Sequence, residues 1–456
     1  MGKYKIKNLE KYFKEYRKSI KDPTGFWEKI AAENFDWHSR WNKVLDFDMK
    51  EARFEWFRNA KLNITQNCID RHLQTQGDKT AIIFEPNDVN EPAQHITYRE
   101  LYARVAKMAN VLTDQGIRKG DRVCIYLPMI PELAVSLLAC ARIGAVHSVV
   151  FAGFSASALA ARINDCDCKT VITSDGSFRG NKTIDLKHIV DEALHQCPGV
   201  ERVLVVRRTG GDVVMKKGRD QWLQPLLDEA AALHVAEVVD AEDPLFILYT
   251  SGSTGKPKGM LHTTAGYMVF MGYTFKNVFG YKKKDVYWCT ADIGWVTGHS
   301  YIVYGPLLNG ATTLIFEGIP SYPDYGRFWQ VIEKHKVNIF YTAPTAIRSL
   351  AKESLDFVQR QDLSSLKVIG SVGEPINEEA WHWYNENIGH RRCPLVDTWW
   401  QTETGGILIS PLAFVTPTKP SHATLPLPGI QPVLMDELSN EIHGNQSGGN
   451  LCIKYP

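Results

Sequence analysis

Two hydrophobic periods alternate along this chain. Short runs rich in β-branched and aromatic residues, at 80–84, 121–127, 146–150, 169–173 and 202–207, read as strands. The series continues at 244–249, 282–289, 312–316, 337–341 and 366–370. Between them lie segments with apolar positions three and four apart. The segment 97–114 is predicted as a helix with Thr97 as N-cap and Glu100 completing a capping box, stopping at Gln115-Gly116. A shorter helix is predicted at 67–73 and another at 131–142. Strand–helix alternation of this kind predicts an α/β fold, with parallel sheets and flanking crossover helices.

The two ends read differently. Residues 3–20 put Tyr4, Leu9, Tyr12, Phe13 and Tyr16 on one side of a Lys-rich helix, which Asp22-Pro23-Thr24-Gly25 breaks. The stretch 26–57 carries Trp27, Trp37, Trp41 and Trp56 and reads as an aromatic clamp on a larger body. Pro-rich 416–432, followed by short strands near Val433 and at 451–453, predicts a small antiparallel β region. The expected division is an N-terminal extension 1–75, sheet subdomains 76–415 and the start of a small β subdomain 416–456.

Composition narrows the function classes. The 456 residues are 44% hydrophobic and 23% charged, ordinary for a soluble globular protein, and the net charge of +1 argues against a nucleic-acid surface. Of nine cysteines only Cys166 and Cys168 are close in sequence, so the expectation is reduced core thiols in a cytoplasmic protein rather than zinc ligands. The basic N-terminus lacks an apolar h-region, and the most apolar stretch, 133–154, is interrupted by Arg142 and His147. Neither a secretory signal nor a membrane partner is expected.

The candidate chemistry begins after the strand at 244–249. Thr250-Ser251-Gly252-Ser253-Thr254-Gly255-Lys256-Pro257-Lys258 combines glycines that let backbone approach an anion, hydroxyl donors and two lysines. A phosphate is the predicted guest. The Walker A spelling is not met, because Pro257 follows Lys256 where that motif needs Ser or Thr. Three further stretches follow predicted strands, where open parallel sheets bind ligands. They are 291–301 with Val296 and Thr297, 370–375 with Val372, Gly373, Glu374 and Pro375, and 397–405, which reads Asp397-Thr398-Trp399-Trp400-Gln401-Thr402-Glu403-Thr404-Gly405.

The loop closely resembles the phosphate loop of adenylate-forming enzymes, and the four stretches occur in the order of that superfamily. Lys21-Asp22-Pro23-Thr24-Gly25-Phe26-Trp27-Glu28 resembles the N-terminal extension of acetyl-CoA synthetases, so the resemblance narrows to short-chain acyl-CoA synthetases. It implies that ATP and a short acid give an acyl-adenylate, which CoA converts to a thioester. Residues 250–256 and Lys258 would hold the β- and γ-phosphates. Thr402 would meet the α-phosphate, and Glu403 would bring in Mg²⁺. Gly373, Glu374 and Pro375, with Asp397 to Gln401, would line the nucleotide site, Trp399 offering a stacking face. Where longer-chain relatives have glycine, Trp400 would close the acyl tunnel. With Val296, Thr297 and Val372 it leaves room for acetate or propionate.

The same resemblance places the phosphorylated end of CoA at Arg179, Gly180, Asn181 and Lys182, Asn181 being a departure from the usual glycine. Thr297 would lie near the CoA path, and Ser321 replaces a customary asparagine. The family's small mobile domain, with its catalytic lysine, is expected past Pro456, so this chain alone is expected to bind nucleotide while forming little thioester. Two alternatives remain open here: a propionyl-CoA synthetase, and an inactive nucleotide-binding protein without the small domain.

Overall fold

The computed structural model describes residues 4–250 and 257–456. Two seven-stranded sheets carry the body. The first runs in the order Asp220–Trp222, Arg202–Val206, Thr170–Ser174, Arg122–Tyr126, Val146–Val149, Pro244–Thr250, Lys258–Thr263. Its neighbours are parallel except the last pair, which is an antiparallel ladder around residues 251–256. The second runs Leu395–Asp397, Val368–Ser371, Ile339–Thr342, Val286–Cys289, Thr312–Phe316, Thr80–Glu85, Gln94–Thr97. It too is parallel until its last, antiparallel pair. Thr170–Ser174 and Thr312–Phe316 are buried along their whole length, as strands covered on both faces must be.

The predicted capping box is present. Thr97 accepts from the Glu100 N–H, and Glu100 accepts from the Thr97 N–H, at the head of helix Tyr98–Asp114. That helix packs on Pro131–Arg142, which starts with Pro at its first position and buries Leu133, Leu137, Leu138 and Cys140. Arg142 ends it, almost fully buried, and donates to both Asp70 carboxylate oxygens at 2.9 and 3.0 Å. The region at the C-terminal end forms a three-stranded antiparallel sheet of Pro432–Met435, Glu441–Ile442 and Asn450–Ile453.

The N-terminal expectations need two corrections. The first helix spans Leu9–Lys21, because Asn8 caps it by accepting from Lys11 N. Upstream, Ile6 is buried and its N–H donates to Asn277 Oδ1 instead. Asp22-Pro23 does more than break a helix: the Asp22 carboxylate accepts from Gly25 N and starts a second one, Pro23–Asn34. The first helix rests on the Pro-rich segment, Tyr12 Oη donating to Pro426 O and Tyr16 Oη to Ile430 O. Of the tryptophans read as a clamp, Trp56 lies in a hairpin, Lys43–Asp48 with Arg53–Arg58, on which the Trp37 and Trp41 rings meet Phe57 and each other at centroid distances of 4.9–5.4 Å, while Trp27 packs on Phe270 and Tyr273.

Cys452 is exposed, so it is not a core thiol; the other cysteines are buried. Among the described residues no helix is long and apolar enough to cross a membrane.

Candidate active site

Four adjacent parallel strands of the second sheet end on one side, and the residues just past those ends enclose a cavity of about 460 Å³. Val286–Cys289 leads to Thr290, Ala291 and Asp292, and onward to Trp295, Val296 and Thr297. Ile339–Thr342 delivers Ala343, Val368–Ser371 delivers Val372 and Gly373, and Leu395–Asp397 delivers Trp400, Gln401 and Thr402. The volume lies in the range of small-molecule sites, roughly 300–1,000 Å³. It forms here because parallel strands present the loops after their carboxyl ends at a single edge.

The geometry is fixed by short polar contacts. Thr398 Oγ1 donates to Ser371 O at 2.8 Å and meets Tyr341 Oη at 2.6 Å, so that hydroxyl ties three strand ends together. Thr290 and Thr342 pair their hydroxyls at 2.6 Å. Trp400 stands edge-on to Tyr301 at 5.1 Å and is half-buried. Tyr301 belongs to a wide π-helical turn, His299–Tyr304, and its hydroxyl accepts from Ile407 N. The glycine at 298 is a matter of room: a Cβ there would sit 2.3 Å from Asp292 O.

The first sheet braces this cavity. His262, on strand Lys258–Thr263, contacts Thr402 O through Nε2 at 2.8 Å. A carbonyl only accepts, so Nε2 carries the proton, and burial holds this histidine below its ordinary value and neutral. The Trp295 ring lies 5.9 Å from both Phe151 and Phe154.

Of the predicted residues, the structure brings Val296, Thr297, Val372, Gly373, Trp400, Gln401 and Thr402 to the cavity wall. Thr250 and Lys258 face each other in the ladder beside the loop. Ser251, Gly252, Ser253, Thr254, Gly255 and Lys256 lie outside the described residues. Glu403 is exposed and borders a different groove, of about 530 Å³, with Trp56, Leu261 and Phe270. Glu374 is not part of the cavity wall: its carboxylate accepts from the Thr345 hydroxyl and N–H and pairs with Arg348 at 2.9 Å, and the Thr345 hydroxyl first, then Arg348, hold it below its ordinary value. Pro375 is exposed, and Asp397, Thr398 and Trp399 stand behind the wall rather than in it.

The CoA candidates form a hairpin, Ser177–Arg179 with Lys182–Ile184, turning through Gly180 and Asn181. Arg179 and Lys182 are directly paired and exposed. A Cβ on Gly180 would lie 3.0 Å from Ile319 and 3.5 Å from Tyr322, so the hairpin abuts the segment holding Ser321.

Sequence reasoning did not single out Asp292 or His262. Burial pushes the Asp292 carboxyl up to about 6, against the Gly294 N–H and the nearby charge of Arg179. Its position after a strand was a signal, but nothing in the spelling Ala-Asp-Ile-Gly marks a carboxyl facing a cavity. His262 sits in a strand that was not predicted.

A family model described as AMP-binding enzyme matches residues 69–456, and one described as Acetyl-coenzyme A synthetase N-terminus matches residues 12–68. The chain is 56% identical over 446 residues to acetyl-coenzyme A synthetase of Halorhodospira halophila, covering 98% of this chain and 69% of that relative. It is 58% identical over 441 residues to acetyl-coenzyme A synthetase 2 of Pseudomonas aeruginosa, covering 97% and 68%. Against acetyl-coenzyme A synthetase of Syntrophobacter fumaroxidans the identity is 57% over 440 residues, covering 96% and 67%.

Proposed function

The chain belongs to the AMP-binding enzymes, with the acetyl-coenzyme A synthetase type of N-terminus, and from this membership we propose that it activates acetate with ATP and transfers the acetyl group to CoA. The acetate oxygen attacks the α-phosphorus, the bond to pyrophosphate breaks, and acetyl-adenylate forms. The CoA thiol then attacks the acyl carbon, AMP leaves, and the thiol proton is released. Neither step needs a protein nucleophile; both need positioning and charge neutralisation.

One observation supports the reading above all: an indole, Trp400, backed by Tyr301, forms a wall of a cavity also lined by Val296, Thr297 and Val372. A bulky ring at that wall leaves an acyl space suited to a short acid. Thr402, whose carbonyl is braced by His262, presents its hydroxyl for the α-phosphate. Gly373 borders the same space and offers backbone for the adenine. Lys258 flanks the loop that would hold the outer phosphates.

Glu403, an exposed carboxylate next in the chain to Thr402 at the cavity wall, would hold a magnesium ion jointly with substrate phosphates, as one or two carboxylates do in nucleotide enzymes. Among the described residues no three His, Cys, Asp or Glu side chains gather to cage a metal. When bound, the ion would neutralise phosphate charge. The Arg179–Lys182 hairpin, with Ser321 beside it, takes the phosphorylated end of CoA.

Acetate-dependent ATP–pyrophosphate exchange tests the proposal, run with acetate, propionate, butyrate and octanoate on the full-length gene product. Acetate is expected to be preferred, with propionate next. Preference for octanoate would overturn the short-acid reading.

A further inference from the structure

The Arg179–Lys182 hairpin is short, polar and exposed, and a two-stranded hairpin of this size has little stability of its own. Its two cations stand directly opposite each other, hence on the same face, where like charges repel. Something must hold it in place while it waits for an anion. The structure shows what does. Asn87, buried in the loop after strand Thr80–Glu85, turns both ends of its amide to the hairpin: Nδ2 donates to Gly180 O at 2.8 Å, and Oδ1 accepts from Gly180 N at 2.8 Å. Gly180 has φ +62, a left-handed conformation in which a side chain is strained, and it points both its N–H and its C=O at that one amide.

Asn87 is itself anchored. Its N–H donates to Glu317 Oε2 at 3.1 Å, and Glu317 also accepts from Arg208 Nε and Nη2 at 2.7 and 2.6 Å. The Arg208 guanidinium lies 5.0 Å from the ring centre of Phe178, which projects from the opposite face of the hairpin to Arg179 and Lys182. Its backbone N–H is held by Asp175 Oδ1 at 2.7 Å. The chain of contacts therefore runs from the second sheet, through Glu317 and Asn87, to the tip of the hairpin.

We propose that Asn87 is a positioning residue for CoA, setting the height and orientation of Arg179 and Lys182 for a phosphate through its two hydrogen bonds to Gly180. The inference rests on reading the hairpin as the CoA phosphate site. An amide is required because the turn offers one donor and one acceptor; Asp at 87 cannot donate, and Ala can do neither.

The test uses full-length gene product carrying Asn87→Asp, an isosteric change, and Asn87→Ala. In acetyl-CoA formation, KM for CoA should rise about tenfold in both, as expected for losing one or two hydrogen bonds to a docking element, with kcat within twofold. The preference for CoA over 3′-dephospho-CoA should shrink by a similar factor. Acetate-dependent ATP–pyrophosphate exchange, which needs no CoA, should stay within twofold of the parent. If Arg179→Ala and Lys182→Ala raise KM for CoA while both Asn87 variants leave it and the dephospho preference unchanged, the positioning role is overturned and the site reading stands. If Arg179→Ala and Lys182→Ala have no effect either, the site reading itself fails. Parallel loss of exchange in both Asn87 variants would assign the residue to stability alone.

Discussion

Glu85 and Asp397 each end a strand of the second sheet at its carboxyl edge, and both are buried. The fold treats their charges oppositely. Glu85 receives Arg327 at 2.8 Å, Lys334 at 2.9 Å and His335 at 2.7 Å. Burial alone would raise its carboxyl, yet hydrogen bonds from His335 and Lys334 and the charge of Arg327 hold it at about 2. Asp397, near the other flank of the sheet, forms no ion pair among the described residues, and burial pushes it up to about 6. The cavity lies on the Asp397 side. Where cations are supplied, the carboxylate is a finished joint. Where they are withheld, the edge keeps a strained charge beside Trp399 to Thr402, the pattern expected of a functional edge.

Glu85→Gln should have the largest effect on stability. It leaves the Arg327 guanidinium buried without a counter-charge, and breaking such a buried pair costs about 3–5 kcal/mol. Asp397→Asn removes a buried charge that was never paired and should raise stability near neutral pH. Urea unfolding of both variants at pH 7.5 checks this. Equal losses would break the comparison.

The pH dependence sharpens it, because the two signs differ. Glu85 has a depressed folded value, so its contribution is complete above its ordinary value of 4.5 and is lost as pH falls toward 2. Asp397 has a raised folded value. The folded state therefore binds its proton more tightly, and stability falls as pH rises from 3.8 to about 6. Two units correspond to about 3 kcal/mol. Unfolding free energy measured from pH 3.5 to 7 should decline less steeply in Asp397→Asn than in the parent. An identical slope would show that Asp397 titrates normally.

Two tryptophans extend the contrast. Trp329, in helix Arg327–His335 beside Glu85, is fully buried, whereas Trp400 is half-buried at the cavity. Trp400→Gly should shift the ratio of kcat/KM for butyrate over propionate by about 10–200-fold, the range one added or missing methylene commands in an apolar pocket. Trp329→Ala should lower stability without changing acid preference. Steady-state kinetics with an acid series separates them; unchanged preference in Trp400→Gly would make that indole core.

The sequence made some of this visible and hid the rest for physical reasons. The strands at 80–85 and 312–316 and helix 131–142 were legible because burial imposes a local apolar pattern, and Thr97 with Glu100 because capping is decided within four residues. Division into two sheets was not, since strand partners such as Thr80–Glu85 and Thr312–Phe316 are far apart in the chain. Glu85 with His335 and Asn87 with Gly180 leave no spacing signal at separations of 250 and 93 residues. The hairpin at 177–184 is too short and polar to announce itself, and only the family resemblance drew Arg179 and Lys182 out. Trp400 was legible as a pocket residue by the same resemblance, while Glu374 shows its limit, because a motif fixes position along the chain and not the direction of a side chain.

Glu374 offers the smallest and most discriminating change. It is a third carboxylate at the same edge, but half-exposed and paired, accepting from Thr345 N and facing Arg348. Its carboxyl is held below its ordinary value by the Thr345 hydroxyl first and by Arg348 after it, which together outweigh the opposing effect of burial. Exposed pairs of this kind contribute about 0–1 kcal/mol, because water screens them and two side chains must be ordered. Glu374→Gln keeps an acceptor for the Thr345 N–H while removing the charge. It should cost less than about 1 kcal/mol in urea unfolding. KM for ATP should change by less than about twofold, since Gly373 and not the carboxylate borders the cavity. A tenfold rise in KM for ATP would show that the carboxylate swings in to meet the nucleotide. Glu374 would then stand with Asp397 as part of the functional edge rather than with Glu85 as a joint.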